Sequence, residues 1–392
     1  MQSPLVPSFR FPGFLLSLCL LSIATGCGSN ARPKAAVLPP SSGSEFLYKN
    51  NGTGILAYSV DPSSGQLGSG PITTQPPGWN ASLISDSAGK FLFVFNQPET
   101  SILAYSIDSS TGVLTAISGS PFLTIGTGAG SLVMSPTAGF LYAATTAGVE
   151  AFAVDATTGG LTPISGSPFS AGTAFLSVTV DPSGQFLYAI SSPTIAHSYQ
   201  DLFAFSIDAA DGAITSIPPS PWASFSVGLN SGDHVFLVVN PAGTFLYVIA
   251  GDPDAPPGIA VFPIDGSTGA LGGVSVSGGS QGDFSLVFDP TGKFIYVSSS
   301  WYVTGIMETV SSIGGYEVDP SSGLLNSIVG GYSLKLQPVG FNVVVDPSGN
   351  LFVSQPPSLT AYRIGSTGEL SQSAGIIVPQ GVPGTLAVVR TR

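Results

Sequence analysis

Two histidines, His197 and His234, are the side chains of this sequence best suited to acid–base chemistry near neutral pH, because an imidazole titrates between about pH 5 and 8. His234 directly follows Asp233, and a carboxylate that orients a histidine helps it to act as a general base toward water. The sequence predicts a catalytic group of His234, Asp233 and Asp283. We expect the ligand to be bound by polar residues in other segments of the same face, namely Asn80, His197, Asp201, Asp252, Asp254 and Glu308.

These polar residues have two other interpretations. Carboxylate oxygens and imidazole nitrogens also hold divalent cations, so a divalent cation is the one candidate cofactor. Their spacing matches no recognised metal-binding or catalytic-triad motif. The second interpretation is therefore that they only cap solvated loops, as polar loop residues commonly do.

One serine motif is excluded as a nucleophile. Gly278-Gly279-Ser280-Gln281-Gly282 fits G-x-S-x-G, which in α/β-hydrolases places a reactive serine on a strand-to-helix turn. Here the segment is a glycine-rich loop that leads into a strand. We therefore expect no nucleophilic role for Ser280.

The three tryptophans, Trp79, Trp222 and Trp301, lie in segments that we expect to form loops or rims. An indole ring in such a place can stack on a sugar ring, or it can pack its loop against the core. Loop packing is the role that we expect.

A motif of aromatic, aliphatic and aromatic residues recurs at intervals that average about 51 residues, which is the spacing of propeller blades. Around it lie short runs of Val, Ile, Leu, Phe and Tyr bounded by turn residues, and these runs indicate strands. The motif occurs seven times, at Phe46, Phe91, Phe140, Phe186, Phe245, Phe294 and Leu351.

Each repeat is predicted to contain four strands. In 285–299, two strands flank Asp289-Pro290-Thr291-Gly292, with proline second and glycine fourth as in a type I turn. A third strand, a turn with glycine four residues after aspartate, and a weaker fourth strand complete the unit. The sequence therefore predicts an all-β fold, a seven-bladed β-propeller with four antiparallel strands per blade.

The two ends of the repeat array should share one blade. The first repeat begins at its second strand, FLYKN from Phe46, and so lacks an inner strand. Leu386-Ala387-Val388-Val389 near the C-terminus has the apolar pattern of an inner strand. We expect this C-terminal strand to complete the first blade and to close the ring, which leaves no open sheet edge.

Turn length separates the two faces of the predicted disk. The turns after strands one and three are short and stereotyped, and they share one face. Variable connections share the opposite face, where binding usually resides. Eleven residues before the repeat aromatic, His234 and Asp283 occupy equivalent positions at the channel rim. The variable connections are 191–201, 218–233, 251–258 and 298–312.

Most aspartates have a structural interpretation, because they begin turns, where a carboxylate accepts backbone N–H groups. Ten of them occupy such positions: Asp61, Asp86, Asp108, Asp155, Asp181, Asp208, Asp265, Asp289, Asp319 and Asp346.

Composition excludes nucleic acid as a partner. Only 8% of residues are charged, and ten basic against 22 acidic residues give a net charge of −12. A surface that follows phosphates needs clustered lysine and arginine, and no such cluster occurs in this sequence.

The first residues are predicted to be an export signal. Arg10 is the only charge before an apolar run at 14–23, which is too short to span a bilayer. Ala24-Thr25-Gly26-Cys27 resembles the end of a bacterial lipoprotein signal, whose cysteine is lipidated. The predicted domains are a lipoprotein signal peptide at 1–26, a flexible tether at 27–44 and the propeller at 45–392. A plain secretory signal with an unmodified Cys27 is the alternative.

The motifs DPSG-FLY, AYSID and TG-L-T, as in 181–188 and 203–215, resemble those of the seven-bladed lactonase family typified by bacterial 6-phosphogluconolactonase. The resemblance covers 45–392 and lies in turns and core strands, so it speaks for fold and family more than for activity. It implies a lactone substrate. A phosphorylated lactone would need arginine or lysine, and we expect no arginine on the variable-loop face, so a neutral or cationic lactone or ester fits better.

Two functions remain open at this point. The first is a cell-envelope lactonase in which His234 activates water in the central channel, while Asp233 or Asp283 orients the imidazole. The second is a non-catalytic propeller that binds a glycan, a peptide or an envelope protein, and a redox or cation-dependent propeller is a third. In each case we expect a monomer that is lipid-anchored to the bacterial cell envelope through Cys27. Without lipidation it would be periplasmic or secreted.

Overall fold

The computed structural model describes residues 43–391, except for 52–53, 69–71, 75–81, 97–99, 138, 194–198, 227–234, 250–257, 280–282, 304–307, 329–341, 356–357 and 378–384. These residues belong to one compact unit, Pro39–Arg392. The predicted signal peptide at 1–26, Cys27 and the tether up to residue 42 lie outside the described residues, so their roles stay predictions.

Seven antiparallel sheets form the described fold, and each sheet is one blade of a propeller. The first blade contains β1 (Glu45–Asn50), β2 (Ile55–Val60) and β3 (Ile72–Thr74), and the second contains β4 (Ser82–Ser85), β5 (Phe91–Asn96), β6 (Ser101–Ile107), β7 (Leu114–Ala116) and β8 (Phe122–Leu123). The third contains β9 (Gly128–Met134), β10 (Phe140–Thr145), β11 (Gly148–Val154) and β12 (Leu161–Pro163), and the fourth contains β13 (Phe175–Val180), β14 (Phe186–Ser191), β15 (Tyr199–Ile207), β16 (Ile214–Ser216) and β17 (Ala223–Ser226).

The remaining blades follow the same order. The fifth contains β18 (Phe236–Val239), β19 (Phe245–Ile249), β20 (Ile259–Pro263) and β21 (Ser275–Ser277), and the sixth contains β22 (Asp283–Phe288), β23 (Phe294–Val303), β24 (Glu308–Val318) and β25 (Leu325–Ser327). The seventh contains β26 (Asn342–Val345), β27 (Asn350–Gln355), β28 (Ser358–Ile364) and β29 (Leu370–Ile377), and β30 (Leu386–Arg390) returns to the first blade.

The C-terminal strand closes the ring, as the sequence predicts. β30 pairs antiparallel with β1, from Glu45 opposite Arg390 to Lys49 opposite Leu386. The inner strands contact one another in the order β30, β4, β9, β13, β18, β22, β26 and back to β30. The sevenfold array is thus continuous, and the predicted all-β propeller is confirmed.

The hydrophobic core is divided among the joints between blades, with one cluster at each of the seven joints. The repeat motif supplies the contact. Phe245 covers Gly323 of the following blade, where a Cβ would lie 2.7 Å from the phenyl ring. The Tyr247 hydroxyl donates a hydrogen bond of 2.7 Å to the Gly323 carbonyl. Because Gly323 also has a positive φ of 72°, a side chain is excluded there by both conformation and space.

Four other joints contain the same tyrosine-to-glycine hydrogen bond, which couples the second strand of one blade to the outer turn of the next. The bonds are Tyr48 to Gly112, Tyr142 to Gly212, Tyr188 to Gly269 and Tyr296 to Gly368.

All ten turn aspartates accept hydrogen bonds from backbone N–H groups of their own turns, so their predicted structural role is confirmed. Asp108 shows the chemistry. Its carboxylate accepts from the hydroxyl and N–H groups of Ser110 and Thr111, and these bonds lower its pKa to about 2.

Three expectations about loops and motifs need correction. Within the expected connection 298–312, residues 298–303 and 308–312 form strand rather than loop, because β23 and β24 stay paired as far as Val303 and Glu308. The variable connection 218–233 contains β17, which pairs with β15. The seventh motif begins at Asn350 rather than Leu351, because the turn after Asp346 is one residue shorter and the Asp346 N–H donates to the Asn350 carbonyl.

Candidate functional site on the loop face

The described strands give the disk two chemically different faces. The turn face contains the aspartate turns after the first and third strands of each blade. The loop face lies at the opposite ends of the strands, where the second strand of each blade leads to the third. Scaffold loops of variable length are the usual place for binding, so the loop face is the candidate site.

A layer of buried polar side chains lies at the loop-face level of the second and third strands, although the middle of these strands is apolar. We call it the polar layer. Buried polar groups are costly unless they are hydrogen-bonded, so most of these side chains need hydrogen-bond partners inside the fold, beneath the loop face. Its members are Lys49, Asn50, Asn96, Ser101, Thr145, Glu150, Ser191, Gln200, Ser298, Ser299, Ser311, Ser312 and Ser354.

Lys49 is the cationic member of the polar layer. It lies on β1, and its ammonium donates a hydrogen bond of 2.6 Å to the hydroxyl of Ser354 on β27 of the seventh blade. Burial lowers the pKa of Lys49 to about 8, because a charged ammonium loses hydration there. Among the described residues it is the only lysine or arginine at this level of the disk, since Lys90, Lys293, Arg363 and Arg390 lie at the turn face.

Glu150 fixes a loop-face segment between the second and third blades. Its carboxylate accepts the backbone N–H groups of Ile125 and Gly126 at 2.8–3.1 Å. The charge of this buried carboxylate is thereby satisfied by oriented amide dipoles. Glu150 therefore positions the entry to β9, and its contacts are structural.

Asp201, a predicted ligand-binding residue, is described and links two strands of the fourth blade. Its carboxylate accepts a hydrogen bond of 2.6 Å from the Ser224 hydroxyl on β17. Its N–H donates to the Ser191 hydroxyl at 2.9 Å. Asp201 thus fastens β17, the strand that directly precedes the segment with Asp233 and His234.

The other predicted site residues are described for their backbone only, or not at all. Asp283 begins β22 opposite Ser299, as Phe175 begins β13 opposite Ser191, and a register shift follows in both strands. Glu308 begins β24 opposite Val303. Asn80, His197, Asp233, His234, Asp252 and Asp254 lie outside the described residues, so their predicted roles stay predictions.

Serine hydroxyls of inner strands accept hydrogen bonds from backbone N–H groups of the inner strand in the neighbouring blade. The Leu132 N–H donates to Ser82 at 3.3 Å, and the Val178 N–H donates to Ser131 at 2.9 Å. Each hydroxyl thus satisfies an edge amide that has no partner strand. These bonds tie successive inner strands together around the channel.

Trp222 packs a loop, as predicted. Its indole is half-buried against the core between the fourth and fifth blades, and its N–H donates to the Ile217 carbonyl at 3.1 Å. The Trp79 and Trp301 side chains lie outside the described part of the chain, so a sugar-stacking role for them is neither supported nor opposed.

Sequence reasoning missed the polar layer, including Lys49, Ser354 and Gln200. A signal was present for Lys49, because its position three residues after the repeat aromatic is Val, Ala, Ala, Val and Val in the second to sixth blades. Gln200 gave no such signal. Its amide is fully buried, and neither its oxygen nor its nitrogen has a hydrogen-bond partner.

Metal ligands are not assembled by the described residues, among which no group of three or more His, Cys, Asp or Glu side chains could hold an ion. Within the same ranges, no helix has the length and apolar character needed to cross a bilayer.

Solved structures match this fold along almost the whole chain. A candidate 6-phosphogluconolactonase from Bacteroides fragilis is 19% identical over 90% of this chain and 100% of that chain, with a TM-score of 0.67. The periplasmic gluconolactonase of Pseudomonas aeruginosa is 18% identical over 89% and 100%, with a TM-score of 0.61. Apo AztD from Citrobacter koseri is 12% identical over 89% and 99%, with a TM-score of 0.56.

Neither a protein-family model nor a curated protein matches the sequence. The structural matches establish the fold, which is the propeller of 6-phosphogluconolactonase-like proteins.

Proposed function

We propose that this chain is a lactonase-like hydrolase of the bacterial cell envelope, which opens a lactone or related ester at the loop face of the central channel. The observation that carries the proposal is the end-to-end likeness to gluconolactonase propellers, one of them periplasmic. Because fold alone does not determine activity, the reaction has to be argued from side chains.

The proposed reaction uses His234 as its general base. The imidazole takes a proton from water, and the resulting hydroxide attacks the carbonyl carbon of the lactone. The bond from that carbon to the ring oxygen then breaks, and the ring oxygen receives the proton from the imidazolium. The product is a hydroxy acid. Asp233 or Asp283 orients the imidazole and stabilises its charged form.

The hydrogen bonds of Asp201 would support this reaction by holding a neighbouring strand. Asp201 fastens β17 through Ser224, and β17 leads into the segment of Asp233 and His234. Thus a described hydrogen bond limits the freedom of the strand next to the proposed base. Positioning of this kind is a major source of catalytic rate.

The proposed substrate is a neutral or cationic lactone. Phosphate recognition generally uses arginine or several cations. Of the described arginines, Arg363 donates to Asn350 and Arg390 to Glu45, both at the turn face. The proposed export signal, with Cys27 as its lipidated residue, also separates the protein from cytoplasmic phosphosugars.

A second candidate function is a non-catalytic binding propeller for a glycan, a peptide or an envelope protein. It is favoured by the described loop-face carboxylates, since Glu150 is engaged by backbone amides and Asp201 by Ser224. A divalent cation would belong to this function or to the first through the predicted acidic residues.

Hydrolysis of a panel of neutral and phosphorylated lactones, with and without a chelator, tests the proposal. We expect turnover of neutral lactones that falls by about 100-fold or more in His234→Ala, which is the usual contribution of a general base. Ser280→Ala is the control, because no nucleophilic role is expected for Ser280. Undiminished turnover in His234→Ala would contradict the assignment of His234 as the general base. If the wild-type protein hydrolyses no lactone, the binding propeller becomes the better supported function.

A further inference from the structure

The joint between the seventh and the first blade differs from the other joints. Its motif residues are Asn350 and Phe352 instead of phenylalanine and tyrosine, so the hydroxyl of the tyrosine-to-glycine bond is absent there. Asn350 instead donates to the Pro62 carbonyl at 3.1 Å and to the Asp346 carboxylate at 2.6 Å. Polar contacts therefore replace the aromatic contact at the place where the ring closes.

Two buried carboxyl groups and one partly buried guanidinium lie in this joint. Glu45 on β1 accepts two hydrogen bonds from Arg390 on β30, at 3.0 and 2.7 Å, and its side chain is 0% exposed. Asp346, in the turn after β26, is also fully buried. Its carboxylate accepts the N–H of Ser348 at 2.8 Å, and the Ser348 hydroxyl accepts a hydrogen bond from the same Arg390 guanidinium. The residue that corresponds to Glu45 is Lys, Gly, Gln, Thr and Lys in the second to sixth blades.

We propose that this joint is a pH-responsive latch, which holds the ring closed while Glu45 keeps its proton in the buried site next to Arg390 and loosens when Glu45 ionises. With one proton, the cluster contains one negative charge opposite Arg390. Without it, two buried negative charges share a single guanidinium. An uncompensated buried charge is strongly destabilising, and the strain acts directly on the pairing of β1 with β30.

Other charged groups near the cluster do not supply the missing positive charge. Arg363 on β28 donates to the Asn350 side-chain oxygen at 3.1 Å and so reaches Asp346 only through that amide. Arg390 also donates to the Ser348 hydroxyl at 2.7 Å. The described elements packed against Glu45 thus present one direct cation, Arg390, and one further carboxylate, Asp346.

The direction of the pKa shift of Glu45 agrees with this geometry. Burial and the adjacent Asp346 raise the pKa of Glu45 from its ordinary 4.5 to about 8, against the opposing effect of Arg390. Between pH 4.5 and 8 the folded chain therefore keeps a proton that the unfolded chain releases. Stability falls with rising pH wherever the folded state binds more protons, so the latch weakens through this window.

Hydrogen exchange measured by mass spectrometry from pH 5 to 9 on the full-length protein tests the latch. After correction for intrinsic exchange, we expect protection in β1 and β30 to fall by about tenfold or more between pH 6 and 8, since one proton allows up to tenfold per pH unit. Protection in β13 and β14 of the fourth blade should stay constant. An equal fall in all four strands, or none, overturns the proposal.

Glu45→Gln and its matched control separate titration from simple loss of structure. E45Q keeps the shape of a protonated glutamate, so we expect protection as in the wild type at pH 5 and no fall at pH 8. Glu150→Gln changes an equally buried glutamate that binds backbone amides, and it should retain the fall. A wild-type pH response in E45Q overturns the latch, as does its loss in E150Q.

Asp346→Asn keeps the proposal testable if E45Q does not fold. It removes the second carboxylate, so an ionised Glu45 would face Arg390 alone and the fall in protection should become smaller, although burial still raises the pKa of Glu45. A fall in D346N as large as in the wild type contradicts the role of the second carboxylate.

Discussion

Lys49 is the residue whose chemistry departs most from its counterparts in the other blades. All six equivalent positions, in the second to seventh blades, hold valine or alanine, and the residue in the seventh blade is Val353 on β27. Lys49 and Glu45 face the same joint from the same strand, and burial drives their pKa values in opposite directions. The closing joint therefore contains a base and an acid that both titrate near pH 8.

Lys49→Met should remove the rise in the free energy of unfolding that the wild type shows above pH 8. The pKa of Lys49 is about 8 in the folded chain, below its ordinary 10.5, so the unfolded chain binds more protons between these values. The free energy of unfolding of the wild type should therefore rise from pH 8 to 10.5, by at most about 1.4 kcal/mol per pH unit. Urea unfolding at pH 7.5 and pH 10 measures the difference.

The control for this experiment is Lys90→Met, at an exposed turn position. It should keep the wild-type dependence on pH. Identical pH dependence in the wild type and Lys49→Met would mean that Lys49 is not responsible for the rise.

The sequence predicts the place of a site residue only where its position within the repeat is defined. The repeat identifies which loops share a face, because strand direction alternates along each blade. It does not reveal which polar side chains are buried beneath that face. Gln200 and Ser354 belong to the polar layer through contacts between strands that are distant in sequence, and no local pattern encodes those contacts.

Neighbouring blades of this fold are joined by a contact between an aromatic residue of one blade and a glycine of the next. The contribution of this contact to stability can be tested at Tyr247. Tyr247→Phe leaves the buried Gly323 carbonyl without its donor, so we expect a loss of about 1 kcal/mol in the free energy of unfolding. Thermal or urea unfolding at constant pH measures the change.

Tyr58→Phe is a matched control for that loss, since the Tyr58 hydroxyl is buried without a hydrogen-bond partner. Removing it should leave stability unchanged or raise it. Equal losses in the two variants would show that the hydroxyl bond to glycine contributes nothing specific. Phe93 stands at the same motif position in the second blade, so the fold itself tolerates the change.

Turns were predictable because their chemistry is local, as aspartate and glycine four residues apart encode a turn by themselves. β17 and the long hairpin of β23 and β24 could not be predicted in this way. These segments are rich in serine, and their strand conformation depends on a partner strand. β23 ends nine residues after Phe294, whereas the second strands of the first five blades end after four or five. The hairpin therefore extends about 13 Å farther at the loop face.

The whole molecule depends on its last few residues for closure. Ala387 and Val389 of β30 are buried in the joint between the first and second blades. Removing residues 385–392 would expose the inner edge of β1, and an open sheet edge promotes self-association. We expect the shortened chain to form oligomers or aggregates in size-exclusion chromatography with light scattering.

Removal of Arg392 alone is the control, because β30 ends at Arg390. That variant should behave as the full chain does. A shortened chain that remains monomeric and unfolds cooperatively would show that closure by β30 is dispensable.

The architecture as a whole followed from repeat spacing and from the missing inner strand of the first repeat. Both are properties of the entire chain, so they survive errors at single positions. The one misplaced motif, at Asn350, lay where a turn is one residue shorter. That irregularity also marks the joint where charges replace aromatic rings.

The contact between Tyr247 and Gly323 has a consequence for how such a chain can change its length in evolution. A blade with an aromatic pair on one side and a glycine on the other can neighbour a copy of itself. A tandem duplication or deletion of one interior repeat would therefore leave each new boundary with a compatible donor and acceptor. Asn350 and Glu45 do not have this property, so they fix where the series of blades starts and stops.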